Sequence, residues 1–242
     1  MKIVFVGPTV PDAATLVGDA LVVRPPATQG DILRAVYDGA TVIGLIDGNF
    51  EYVASVWHKE ILFALSQGVT VVGAASMGAL RAAECAAFGM VGIGEIFRQY
   101  IADEATDDSE VALLHAPAEL GYAALTVPLV NLRATLRHLT EQNRLTASDA
   151  ADIAVVAADL FYKERTWNAI LSRAGLSPRI DAAMLRTEYV DQKRIDALEL
   201  FEALRRMPAE RCAPPQDWTF NATSLWATML GQLPLSNEKT DV

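Results

Sequence analysis

Short apolar runs alternate with amphipathic stretches through the first half of the chain. Residues 3–6 are continuously apolar and stop at Gly7-Pro8-Thr9. A β-branched run at 21–23 stops at Pro25-Pro26, and a stronger one at 41–46 stops at Asp47-Gly48. Residues 69–73 and 111–115 read as further strands, the second stopped by Pro117. Between the runs, residues 29–37, 53–66 and 75–88 have helical character, and Gly68 and Gly89 supply C-terminal stops. Apolar runs without alternation are what a strand covered on both faces requires. Strand followed by helix, repeated, predicts a doubly wound, mostly parallel α/β sheet of the Rossmann or flavodoxin type.

The second half reads as helix only. Leu129, Leu132, Leu136 and Leu139 fall on one helical face, and an Ala-rich pattern follows over 147–161. Trp167, Ile170 and Leu171 come next, then a stripe of Ile195, Leu198, Phe201 and Leu204. A final short helix is expected over 218–230 and a tail from Pro234. The shift in pattern divides the chain into an α/β core, residues 1–125, and a C-terminal helical subdomain, residues 126–242.

Composition narrows the function. Apolar residues make up 52% of the 242, enough for a sizeable core, yet no segment has the roughly 18 uninterrupted apolar residues of a membrane span. The first residues read as a strand rather than a secretory signal, so the expected setting is soluble and cytoplasmic, with no membrane partner. A net charge of −10 argues against a nucleic-acid partner, because neutralising phosphates needs clustered Lys and Arg. Cys85 and Cys212 form no C-x-x-C pair and read as structural thiols.

Ligands of such sheets sit beyond the C-terminal strand ends. Gly7-Pro8-Thr9, Asp47-Gly48, Ser76 and His115 all fall at expected strand ends and so converge on one edge. Ala74-Ala75-Ser76-Met77-Gly78 resembles a nucleophile elbow, with Ala74 in the first glycine position. Ser76 is there either a nucleophile, with N–H groups near Met77 and Gly78 as an oxyanion hole, or a helix cap. Glu84 falls on the side expected to pack, with Arg81 in reach; the two form a structural ion pair or help hold an anionic substrate. His58 lies on the apolar face shared by Trp57, Ile61 and Leu65, as a general base or a core residue, and Lys59 is solvated or anion-binding. Asp47 orients His58 or closes an Asx-turn. His115 is a second candidate base, whereas His138 reads as solvated. The acidic run Asp103-Glu104 … Asp107-Asp108-Ser109-Glu110 suits a solvated loop better than a Mg²⁺ site, and no metal is expected. Neither a P-loop nor a G-x-G-x-x-G is present.

These blocks together resemble the TfuA-like protein family. The matching stretches are Gly7-Pro8-Thr9, Pro25-Pro26-Ala27 … Gly30-Asp31, Ile46-Asp47-Gly48 … Phe50, Ser55-Val56-Trp57-His58-Lys59-Glu60, Gly73-Ala74-Ala75-Ser76-Met77-Gly78-Ala79-Leu80-Arg81-Ala82-Ala83-Glu84, Phe88-Gly89-Met90 and His115-Ala116-Pro117. They cover roughly residues 1–135, and the W-H-K-E and G-A-A-S-M-G-A-L-R-A-A-E blocks are the specific ones. The resemblance implies work beside a YcaO-type enzyme, which uses ATP to activate a backbone amide of a ribosomal precursor peptide. TfuA-like partners accompany the version that installs sulfur as a thioamide. No cofactor is expected on this chain itself. The expected role is release or delivery of sulfide from a thiocarboxylated, ubiquitin-like sulfur carrier, by acyl transfer through Ser76 with His58 and Asp47. That order along the chain, Asp47, His58, Ser76, is subtilisin-like on an unrelated scaffold. The alternative is a non-catalytic adaptor that docks and activates the YcaO enzyme or its peptide. Thr9, Gly48, Lys59, Met77, Gly78, Arg81 and Glu84 are the expected substrate-binding positions.

Overall fold

The computed structural model describes residues 1–49, 51–177 and 179–232; the block residue Phe50 and the expected tail from Pro234 lie outside them. Five strands, β1 (Lys2–Phe5), β2 (Val22–Arg24), β3 (Val42–Leu45), β4 (Thr70–Ala74) and β5 (Val91–Ile93), form one parallel sheet in the order β2-β1-β3-β4-β5. This is the flavodoxin-like order, whose switch point lies between β1 and β3. The register sets Phe5 opposite Leu45 and Leu45 opposite Gly73, so the chain leaves β1, β3 and β4 at one level. Gly7, Asp47 and Ala75 therefore sit side by side on the carboxyl edge.

Each of the three central strands has two buried faces because its residues alternate between two clusters. Ile3, Phe5, Ile43, Leu45 and Val71 pack against α2 (Asp31–Tyr37), α3 (His58–Ser66) and α4 (Met77–Cys85). Val4, Val6, Val42, Ile46, Val72 and Ala74 face α1 (Ala13–Val17) and α10 (Gln192–Arg206). Between these, α5 (Glu95–Ile101) packs beside α4, and α6 (Leu129–Glu141), α7 (Ala147–Asp159), α8 (Trp167–Arg173) and α9 (Ala182–Thr187) share a cluster of their own. Helix α10 then returns to close the second face of the sheet. The last helix, α11 (Ser224–Gln232), is shorter than the stretch expected from 218.

Further expectations change. The run at 111–115 is not a sheet strand: a 3-10 turn, Asp108–Glu110, precedes it, and His115 makes only an isolated antiparallel bridge to Ala124. Val111 packs against Ile96, Tyr100 and Val130 instead, and Leu114 is left exposed. The fifth strand is Val91-Gly92-Ile93, obscured in the sequence by its brevity and its glycine. Helix α3 starts at His58, five residues later than expected, because residues 54 and 56 keep extended backbone whose carbonyls accept from Gln29 N–H and Arg81 Nε. Finally, α10 buries Ala197, Leu200, Phe201 and Leu204, while Ile195 and Leu198 are 51% and 37% exposed. Polar residues displace the expected stripe: Lys193 and Asp196 face inward because each has a partner there, the Val111 carbonyl and the Ile96 N–H.

Candidate functional site

Asp47 is the centre of the switch point. Its carboxylate is 1% exposed and accepts from Gly7 N–H at 2.8 Å, Thr9 N–H at 3.0 Å and the Thr9 hydroxyl at 2.6 Å. It thus ties the β1 exit loop to the end of β3. Burial pushes the ammonium of Lys193 below its ordinary range, against the pull of Asp47 and Asp191. Thr9, expected to bind substrate, is committed to Asp47 by both backbone and hydroxyl. Gly48 is covered as well: a Cβ there would lie 2.2 Å from Met77 Sδ, so only glycine lets Met77 lie across the strand end.

The β4-to-α4 connection is a sharp three-residue turn. Ser76 N–H donates to Ala74 O at 2.7 Å, and Ala75 at its centre has φ +67°. Strain at the elbow therefore falls on Ala75, one residue before the serine, at a cost of about 1 kcal/mol or more for a residue with a Cβ. Ser76 is 8% exposed, and its hydroxyl makes no capping bond to α4, so the helix-cap reading does not hold. Gly78 N–H donates to Ile46 O at 3.0 Å and Ala79 N–H to Ser76 O at 2.9 Å. Of the first α4 donors, Met77 N–H is left without a partner among the described residues. It is the one ready donor for an anion at this helix start.

A second cluster stands farther along α4. His58 Nε2 lies 2.8 Å from Glu84 Oε2, which also accepts from Arg81 Nη1 at 2.5 Å. Burial alone would raise the Glu84 carboxyl, but the hydrogen bonds and charges of His58 and Arg81 outweigh it and hold Glu84 below its usual range. Glu84 thus stands at a solvent-facing edge, not on the packed side, and its side chain is 36% exposed. Two clefts meet here, sharing Ser55 and Arg81. One, of about 330 Å³, runs from Met77 past Leu80, Arg81 and Glu84 to Asp107 and Val111. The other, of about 680 Å³, runs from Arg81 past His58 and Trp57 to Leu225 and Met229 of α11. Lys59 does not open into either cleft: its ammonium sits over the Phe220 ring, 5.4 Å from the centroid.

The structure therefore divides the expected residues. Thr9, Asp47 and Gly48 gather with Ser76 and Met77 at the carboxyl edge; His58, Arg81 and Glu84 gather along α4. No hydrogen bond links Asp47 to His58 or His58 to Ser76 among the described residues, so these three do not form a relay here. His115 is in a loop, with Nδ1 2.8 Å from Ala116 O and its ring edge-on to Tyr122 at 5.6 Å. The acidic run is partly structural: Asp107 accepts from Ser109 N–H, and Glu110 pairs with Arg133. Sequence reasoning missed Lys193 and Tyr122. Lysine on a helix reads as solvated, and a tyrosine in a Gly-Tyr turn carries no signal of packing near Gly7.

Glu60, the last residue of the W-H-K-E block, is structural. It is fully buried and accepts from Gly30 N–H at 2.8 Å and Trp57 N–H at 3.3 Å, fastening the starts of α2 and α3. Burial raises its carboxyl pKa despite these bonds. The folded state thus holds a proton that the unfolded chain releases near its ordinary value of about 4.3. Stability should fall as pH rises from there through the higher folded value. Urea midpoints measured from about pH 4 to about pH 7 should show this decline in the wild type and a flatter profile in Glu60→Gln. Parallel profiles would mean that Glu60 titrates alike in both states.

Sheet order, the switch-point carboxylate and the clefts along α4 define a flavodoxin-like α/β protein with its polar chemistry at the carboxyl edge. Residues 47–166 match the family model of the TfuA-like proteins, so the chain carries a TfuA-like domain. The match begins at Asp47 and takes in Ser76, the α4 cluster and the loop bearing His115. The family is associated with YcaO-dependent thioamide formation. A comparison with curated proteins gives no match. No helix among the described residues is long and apolar enough to cross a membrane.

Proposed function

We propose that this chain is the sulfur-releasing accessory protein of a YcaO-type thioamide-forming enzyme, acting on a thiocarboxylated carrier. The observation that carries this reading is the α4 start: a hydroxyl with no capping bond, on Ser76, next to Met77, whose N–H has no partner among the described residues and which, unlike Ser76, lines the cleft that leads to Arg81. A chain end bearing C(=O)S⁻ enters that cleft. Ser76 Oγ bonds to the thiocarboxylate carbon while Met77 N–H holds the developing oxyanion. The C–S bond breaks, and the departing sulfur takes the serine proton and leaves as hydrosulfide. Water then cleaves the ester, returning the carrier carboxylate and the serine hydroxyl. Arg81, held by Val56 O and Glu84, positions the chain end. ATP is consumed by the YcaO partner.

The test is sulfide release from a purified carrier thiocarboxylate. Ser76→Ala should lower the rate at least about 10³-fold with its fold intact by circular dichroism. Undiminished release from Ser76→Ala would sink the mechanism.

A specific observation favours the second reading. Asp47 is saturated by Gly7 and Thr9, and His58 is paired with Glu84, so no base is aligned on Ser76. An adaptor needs none. It would release no sulfide from the carrier, and Ser76→Ala would leave thioamide formation by the YcaO partner unchanged.

A further inference from the structure

The two edges of the sheet are treated differently. At β2, the chain runs from Arg24, paired with Asp38, directly into Pro25-Pro26. Charge and proline are the usual means of blocking further strand pairing. At β5 there is neither. Val91-Gly92-Ile93 carries no charge and no proline, and no strand among the described residues pairs with its outer side. Val91 is 43% exposed.

Beside this edge lies a groove of about 660 Å³, walled by Phe97 and Arg98 of α5 and by Leu198, Glu199, Glu202 and Arg206 of α10. Leu198, exposed as described above, is an apolar side chain at that wall. Of the charged groups in the groove, Arg98 is paired with Glu95 and Glu202 with Arg205 of the same chain, which leaves Glu199 and Arg206 without an ion-pair partner among the described residues. A strongly acidic or basic peptide gains nothing from such a balance. A surface that meets its own copy across a two-fold axis does, since Glu199 of each copy can face Arg206 of the other.

We infer that the β5 edge is a self-association surface, occupied by a second copy of this chain. Two β5 strands meet antiparallel, joining the sheets, and α5 and α10 of each copy pack alongside. A three-residue edge makes few ladder bonds, so the helices supply most of the roughly 800 Å² per partner that a stable dimer needs.

Sedimentation velocity of the full chain at micromolar concentration should give twice the 26.1 kDa monomer mass. Leu198→Glu and Val91→Lys should each raise the dissociation constant at least about tenfold, which is about 1.4 kcal/mol. Val22→Lys, on the blocked edge, should leave it unchanged. Circular dichroism confirms that the variants fold. A wild type that stays monomeric overturns the inference, as does a dimer indifferent to both β5-edge changes. So does a monomer that binds an extended peptide along β5, which would make the edge a strand-addition site for another chain.

Discussion

Asp47→Ala is expected to lower the unfolding free energy by about 4 kcal/mol, read from urea unfolding. The carboxylate satisfies two backbone N–H groups and one hydroxyl from the β1 exit loop, all buried. Alanine leaves those donors without acceptors, each worth about 1–3 kcal/mol when buried and unsatisfied. It also removes the negative charge nearest in effect to Lys193, an ammonium 3% exposed whose direct bond is to the Val111 carbonyl. Asp47→Asn keeps one acceptor oxygen and should cost about half as much. A double-mutant cycle with Lys193→Met should show coupling of favourable sign, because the buried Asp47 charge acts on the buried ammonium although the two make no direct ion pair. A loss below about 1 kcal/mol for Asp47→Ala would mean that water reaches the loop and replaces the carboxylate. Asp47 would then have no organising role at the switch point.

The convergence of Gly7, Asp47 and Ser76 was legible in the sequence because it follows from strand ends alone. A parallel sheet brings every strand's C-terminus to one edge, and Gly-Pro, Asp-Gly and a small-residue turn mark those ends without tertiary information. His115 shows where this logic fails. Its run is as apolar as a strand, but only Val111 packs against α5 and α6, Leu114 stays exposed, and the run joins no sheet strand among the described residues. The triad expectation failed for a related reason. Sequence order places Asp47, His58 and Ser76 at neighbouring elements, yet it does not say which partner each group finds. Asp47 found the β1 loop, and His58 found Glu84. Lys193 was illegible altogether, since its interior position depends on α10 returning across the whole chain to the second sheet face. In α10 half of the expected stripe, Phe201 and Leu204, is buried as expected, whereas Ile195 and Leu198 face outward, Leu198 at the groove inferred to hold a second copy.

Gly78→Ala is the other large expected effect, and it probes the site without touching any polar group. A Cβ at Gly78 would stand 1.8 Å from Leu45 O, 2.5 Å from Leu45 C and 3.1 Å from Ile46 N. All three are backbone atoms of the β3 exit, so no side chain can swing aside. Gly73 closes the opposite flank, where a Cβ would lie 2.0 Å from Gly78 O. The methyl group therefore forces α4 away from the sheet and breaks the bond from Gly78 N–H to Ile46 O. Overpacking of this kind costs about 3 kcal/mol where backbone must move. Ala83→Gly, farther along the same helix, is the comparison, with an expected loss of about 1 kcal/mol from helix propensity and a smaller one from its methyl, which packs on the Ile96 and Tyr100 cluster. Because Ser76 and Met77 begin the helix that is displaced, the sulfide release proposed for this chain should fall in the Gly78→Ala protein although the serine remains. Equal stability of Gly78→Ala and wild type would show that α4 does not approach β3 this closely. The position of Ser76 would then not depend on that contact.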